Sequence, residues 1–192
     1  SAKKLIQEFS NLPGIGRKTA QRLTFHILQT EKDKVFNLSQ ALLQIKEKIH
    51  NCIVCNGITE EETCLICIDP SRDDNVICVV ENSHDIIVFE KTNGFNGRYH
   101  VLGGTLSALD AVGPEELRIP KLLNRIVSED ITEVILALNA TIEGQTTAHY
   151  ISEQLEHSVK VTSLAQGVPI GGELDYLDEG TIMAALKARR QI

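Results

Sequence analysis

The chain has 192 residues, 42% of them hydrophobic and 4% aromatic, with no Trp and a net charge of −7. That length suits one or two domains with a sizeable core. No apolar run approaches the roughly 20 residues of a membrane span, and no apolar leader is visible in SAKKLIQEFSNLPG.

The scarcity of aromatics speaks against single-strand binding by many stacked bases. The acidic balance argues against a generic nucleic-acid binder, but the charge is uneven. Residues 1–50 hold nine Lys or Arg against four acids, a net +5, whereas the remainder has 10 bases and 22 acids, a net −12. A basic head on an acidic body is a functional asymmetry. Solvated helix faces are its plain alternative.

In chain order, Leu5, Ile6, Phe9 and Leu12 recur at helical spacing, and Ala20, Leu23, Phe25, Ile27 and Leu28 mark a second helix. Between them lies LPGIG. Its glycines, Gly14 and Gly16, tolerate a tight turn and leave no side chain to block a close approach. Amides at the start of the second helix then point outward, where a phosphate can bind. Lys18 and Arg22 are four apart and share one face beside that turn. These four residues are the candidate DNA contacts. A plain helical hairpin is the alternative. A phosphate-binding P-loop fits less well, because GIGRKT lacks the required spacing and no strand precedes it.

A third helix is predicted from Leu38 to His50, with Leu42, Ile45 and Ile49 on its apolar stripe. The composition then changes at CIVCNGITEEETCLIC. Cys52, Cys55, Cys64 and Cys67 form two C-x2-C pairs separated by eight residues. Four sulfurs complete a closed tetrahedral shell, so the reading is one structural Zn²⁺ per chain. Disulfides and an iron–sulfur site remain the rivals. Cys78 reads as a buried strand residue.

From Val76 onward the pattern alternates. VICVVE and IIVFE read as strands, and GRYHVLGG as a third extended piece. Residues 115–129 read as a helix, EVILAL as a central parallel strand, QTTAHYISEQL as a helix, VKVTSLA as a strand and DEGTIMAALKARR as a last helix. Alternation of this kind implies a mostly parallel sheet. Glu81, Asp85 and Glu143 are expected at or just beyond strand ends, with Glu143 in a loop, where open α/β sheets bind ligands.

The order of these pieces resembles the bacterial RecR family of recombination mediators along essentially the whole chain. The stretches that carry it are LPGIGRKTAQRL, the four cysteines, RDDNVICVVE, YHVLGG, GPEELRI, EVILALNATIEGQTTAHYI and GVPIGGELDYLDE. The resemblance implies an α+β, multi-module chain. It would comprise a helix-hairpin-helix head at 1–50, a four-cysteine zinc module at 51–73, a Toprim α/β domain at 74–166, and a C-terminal Walker B-like loop and helix at 167–192.

Toprim enzymes hold Mg²⁺ with a glutamate and a later Asp-x-Asp pair. Glu81 matches the first, but the pair reads Asn139-Ala-Thr141 here. Neutral oxygens hold Mg²⁺ poorly, and no tyrosine is plainly placed as a strand-breaking nucleophile. The resemblance therefore implies a non-enzymatic protein. A Mg²⁺-dependent Toprim enzyme and a scaffold without DNA contact are the alternatives. GVPIGGELDYLD has no Walker A loop to accompany it, so ATP hydrolysis is not expected. Its plainer reading is a glycine-rich loop that positions the last helix or a subunit contact.

What the family implies further is DNA as a partner, RecO and RecF as co-workers, and RecA loading onto single strands coated by SSB. It also implies a homo-oligomer, dimer or ring-like tetramer, with no membrane partner and a cytoplasmic, nucleoid-associated location. Glu81, Asp85 and Glu143 would dock a basic partner.

Overall fold

In the computed structural model, residues 1–155 and 159–190 are described, and the chain divides into two units, Ser1–Ile49 and His50–Ile192. The first is helical: α1 (Ala2–Ser10), α2 (Arg17–Gln29) and α3 (Lys32–Lys48). Helices α1 and α2 pack as a hairpin. Ala20 and Thr24, one turn apart on α2, are fully buried. Their small side chains allow a close approach, and the Thr24 hydroxyl donates to the Ala20 carbonyl at 2.9 Å, so no polar atom is left unmatched.

Helix α3 begins at Lys32, six residues before the predicted start at Leu38, and ends before His50. The added residues include Lys32 and Lys34, which the helix dipole does not favour at this end, but Lys34 pairs with Glu31 at 3.1 Å. Asp33 lies in the first turn and Lys46 and Lys48 in the last, as the helix dipole favours. Helices α2 and α3 leave Phe25, Leu28, Phe36 and Leu42 more than half exposed.

The second unit opens with a small module. Strands β1 (His50–Asn51) and β2 (Ile58–Thr59) pair antiparallel, and a one-turn helix α4 (Leu65–Ile68) follows. The main sheet comes next: β3 (Asp73–Val80), α5 (Ser83–Thr92), β4 (Gly97–Val101), α6 (Ile119–Ser128), β5 (Glu133–Ala137), α7 (Ile142–Gln154) and β6 (Lys160–Ser163). A 3₁₀ turn at Leu174–Tyr176 leads to α8 (Glu179–Lys187). The strand order is β4-β3-β5-β6, and every neighbouring pair is parallel.

Period-two patterning places Ile77 and Val79 of β3 on one face with Val134 and Leu136 of β5, beneath α6 (Leu122, Ile126) and α7 (Ile151). Cys78 and Val80 face the other way, against Ile86, Tyr99 and Val101. Helices cover both faces, as parallel sheets require. Cys78 is the buried strand residue expected, and burial pushes its thiol up to about 12.

The predicted strand IIVFE is instead part of α5. A short apolar run of β-branched residues fits either state. Capping decides it: Asn82 and Asp85 form a reciprocal capping box at the helix start. Ile86 and Phe89 then face the sheet at i, i+3, while Ile87 and Val88 stay exposed. Helix α6 starts at Ile119, not at Glu115, with Pro120 in its first turn, the position that tolerates proline. Glu143 lies in the first turn of α7 rather than in the preceding loop.

Two polar networks lock the sheet. Arg125, buried on α6, donates from Nη1 to the Tyr99 carbonyl at 2.9 Å and grips Glu129 with Nε and Nη2. Arg72 forks onto Glu90, which also accepts from the Tyr99 hydroxyl at 2.6 Å. The Arg72 guanidinium, and secondarily the Tyr99 hydroxyl, hold the Glu90 carboxyl below the usual range. Among the described residues, no helix is long and apolar enough to cross a membrane.

Candidate functional site

Three clusters of chemistry emerge, one in the first unit and two in the second. In the helical unit, the turn between α1 and α2 carries Gly14 at φ +77°. Nothing lies within 4 Å of where a Cβ would sit, so glycine is needed for its backbone conformation and not for space. Gly16 is the N-cap residue of α2. The first intrahelical bond of α2 runs from the Ala20 amide to the Gly16 carbonyl at 3.0 Å. The amides before it are therefore free of helical partners. Lys18 and Arg22 are exposed on the first two turns of α2. The turn thus offers backbone donors, a helix N-terminus and two cations to one anionic strand.

The second cluster is the cysteine quartet. The sulfurs of Cys52, Cys55, Cys64 and Cys67 all lie within 4.8 Å of one another, and those of Cys55 and Cys64 are 3.6 Å apart. A tetrahedral thiolate shell around zinc has sulfur–sulfur spacings of about 3.8 Å, so the set fits one metal ion. Backbone amides of Gly57 and Cys64 donate to the sulfurs of Cys55 and Cys52, both at 3.3 Å. Such outer donors hold thiolate ligands in place. Donation to Cys64 pushes the Cys55 thiol up, and acceptance from Cys55 and Cys67 pulls the Cys64 thiol down. A bound cation would favour thiolate at all four positions. The shell has no open coordination position for a substrate.

The module is tied to the sheet. The Val101 amide donates to the Cys55 carbonyl at 2.8 Å, and the Asn56 side chain donates to the Val101 carbonyl at 3.0 Å. Lys121 of α6 donates to the Ile53 carbonyl.

The third cluster lies at the carboxyl ends of β3 and β5. Glu81 follows β3 directly, and its Oε2 accepts from Asn139 Nδ2 at 2.6 Å. Asn139 occupies the first position of the altered Asp-x-Asp pair, so an amide donor replaces a charged metal ligand. Thr141, at the other position, caps α7: its Oγ1 accepts from the Gly144 amide at 3.1 Å. A Cβ on Gly144 would sit 2.1 Å from the Asn139 carbonyl, so only glycine permits this tight strand-to-helix passage. Glu143 is exposed on the first turn of α7.

Asp85 does not stand free as a docking carboxylate. Its Oδ2 accepts from the Asn82 amide at 2.8 Å, and its Oδ1 lies 3.1 Å from His84 Nε2. Its visible work is to cap α5.

Sequence reasoning noticed the missing Asp-x-Asp but not that Asn139 reaches Glu81. It also passed over Asn56. A signal was present there, since Asn before Gly in CNGI often marks a left-handed residue, and Asn56 has φ +63°.

Comparison with known proteins bears directly on these clusters. The family described as "RecR, helix-hairpin-helix" matches residues 2–46, "Toprim domain" matches 75–165, and "RecR, C-terminal" matches 167–190. The "Recombination protein RecR" of Ruegeria sp. (strain TM1040) is 52% identical over 98% of this chain and 94% of its own length. That of Paracoccus denitrificans (strain Pd 1222) is 53% identical over 98% and 95%. That of Chloroherpeton thalassium (strain ATCC 35110 / GB-78) is 51% identical over 98% and 95%. With helix-hairpin-helix, Toprim and C-terminal parts matched in order and relatives more than 50% identical over 98% of its length, the chain belongs to the RecR family.

Proposed function

We propose that the chain is a non-enzymatic, DNA-binding mediator of recombinational DNA repair, acting with RecO and RecF to load RecA onto single-stranded DNA coated by SSB. The observation that carries this reading is the division of chemistry between the units. The helical unit presents Gly14, Gly16, Lys18 and Arg22 at one exposed turn. The sheet presents Glu81 and Glu143, with Asn139 bonded to Glu81 where a metal-binding acid would stand. Backbone contacts position a protein on nucleic acid without reading sequence, which suits a mediator that must act anywhere.

With Asn139 and Thr141 where the Asp-x-Asp pair would stand, Glu81 lacks the companion carboxylates that two-metal phosphoryl chemistry needs. The carboxylates present suit a basic protein surface, and RecO is the partner assigned to them, chiefly through Glu81 and Glu143. Asp85 contributes to that surface indirectly, by capping the helix beside it.

Zinc is the metal assigned to the four cysteines, one per chain, because a compact four-thiolate shell suits it. The modules divide at 1–50, 51–73, 74–166 and 167–192. The exposed apolar side chains of α2 and α3 favour a homo-oligomer, dimer or ring-like tetramer, since uncovered patches of this kind mark protein contacts. The location assigned is the bacterial cytoplasm, at the nucleoid.

The deciding experiment is reconstitution. RecA filament formation on SSB-coated single strands is followed with RecO, with and without this chain. Acceleration that needs both proteins supports the proposal. No acceleration, or cleavage or relaxation of DNA by the chain with Mg²⁺, overturns it.

A further inference from the structure

We infer that Asn56 is a positioning residue through which the metal centre fixes the place of Glu81, so that metal loading controls the carboxylate face. The path is continuous in hydrogen bonds. Asn56 lies between Cys55 and Gly57 in the first metal knuckle, and its amide donates to the Cys52 carbonyl at 3.0 Å. Its side chain is buried. Oδ1 accepts from Asn51 Nδ2 at 3.1 Å, and Nδ2 donates to the Val101 carbonyl at 3.0 Å.

Val101 is the last residue of β4, which is an edge strand of the main sheet. The knuckle takes both of its outward main-chain groups: Cys55 accepts from the amide, and Asn56 donates to the carbonyl. On its inner side the chain runs on to β3. The Leu102 amide donates to the Val80 carbonyl and the Gly103 amide to the Glu81 carbonyl, each at 3.0 Å. The place of a Cβ on Gly103 lies 4.0 Å from Asn56 Nδ2. Asn56 therefore clamps the segment that in turn holds the main chain of Glu81.

The sulfurs orient this clamp. The Gly57 amide donates to the Cys55 sulfur, so the same short loop that carries two of the four sulfurs aims the Asn56 side chain at Val101. Without metal, the four thiols no longer share one centre and the loop loses its reason to hold that shape. The left-handed backbone of Asn56, at φ +63°, is tolerated by Asn but not preferred over the right-handed and extended regions, so it is free to relax once the loop is released. The consequence for docking rests on the reading of Glu81 given above. The structural coupling does not.

The test is amide hydrogen exchange on the full chain in three states: zinc-loaded parent, zinc-loaded Asn56→Gly, and chelated parent. Glycine keeps the positive φ, so Asn56→Gly removes the side-chain bonds without straining the backbone. Zinc content should stay at one per chain. Exchange at the Gly103 amide should rise about fivefold or more, as loss of one net hydrogen bond implies, with Leu136 in β5 unchanged. Asn56→Asp, which keeps the shape but not the donor, should match glycine. Chelation should accelerate exchange at both Val101 and Gly103. Unchanged exchange at Gly103 in Asn56→Gly and in the chelated parent overturns the inference, as does an equal rise at Leu136. RecO binding, measured in parallel, separates the two readings. Accelerated exchange with undiminished binding keeps the coupling and removes Glu81 from the docking face.

Discussion

The side-chain amide of Asn139 reaches across from the end of β5 to Glu81 Oε2 at 2.6 Å, so the two central strands are pinned together at the point where a Toprim enzyme would place its metal. An amide cannot supply the negative charge that Mg²⁺ selects. Calorimetric titration of the parent with Mg²⁺ should show no binding at this face in the millimolar range. Asn139→Asp with Thr141→Asp should create measurable binding. If the parent already binds Mg²⁺ and loses it on Glu81→Gln, the amide is not the substitute that its position suggests.

DNA contact is expected at the hairpin turn of the helical unit. Replacing both Lys18 and Arg22 with Ala should weaken binding to all sequences alike. The slope of log affinity against log salt should fall by about 1.8 units on duplex DNA, near 0.9 per lost phosphate contact. An unchanged slope with intact helicity would move the interface elsewhere.

Glu143 and Asp85 should part company in a RecO binding assay. Glu143 is exposed on α7, and a close interfacial charge pair contributes about 1.5 kcal/mol or more, so Glu143→Lys should cost at least about tenfold in affinity. Asp85 caps α5, so Asp85→Ala should instead cost about 1 kcal/mol of stability. Equal loss of RecO affinity from both substitutions, at equal stability, would restore Asp85 to the docking face.

Acid should destabilise the sheet through His100. This side chain is fully buried; its Nε2 lies 2.9 Å from the Arg118 carbonyl and its Nδ1 3.4 Å from Arg125 Nη1. Burial first, then the Arg125 charge, lowers its pKa from 6.5 to about 3. The unfolded chain therefore takes up a proton that the folded chain refuses between those values. The stability is fully present above pH 6.5 and is lost as pH falls toward 3, at up to about 1.4 kcal/mol per pH unit. Urea denaturation at pH 7.5 and pH 5 measures it, and His100→Asn should flatten the difference between the two.

Metal analysis should find one zinc per chain, and chelation should lower the unfolding midpoint by roughly 10 °C, since binding energy at such a site is folding energy. Iron in place of zinc, or no change on chelation, would contradict the assignment.

Much of this was legible because it depends on local pattern. The cysteine spacing needs no tertiary context, and the near-continuous apolar runs at Val76–Val80 and 133–138 announce buried parallel strands. The segment Ile86–Glu90 was not legible as helix, because five apolar-rich residues carry no decisive period and the capping box at Asn82 settles the matter from outside the run. The role of Asp85 was hidden for the same reason. The Asn139–Glu81 bond joins residues 58 positions apart, and the clamp of Asn56 on Val101 spans 45. Each is decided by how strands and loops meet, which composition and spacing do not encode.

The all-parallel order β4-β3-β5-β6 has a kinetic consequence. Parallel neighbours cannot be joined by a tight hairpin, so no ladder of the main sheet can nucleate locally. Val80 meets Val101 only after the α5 crossover closes, and meets Ala137 only after the longer path through β4 and α6. Non-local closures of this kind slow folding. The β3–β5 pairing is thus expected to set the folding rate, while β1, β2 and the metal knuckles, all within residues 50–68, can assemble first and offer β4 a preformed edge on which to dock.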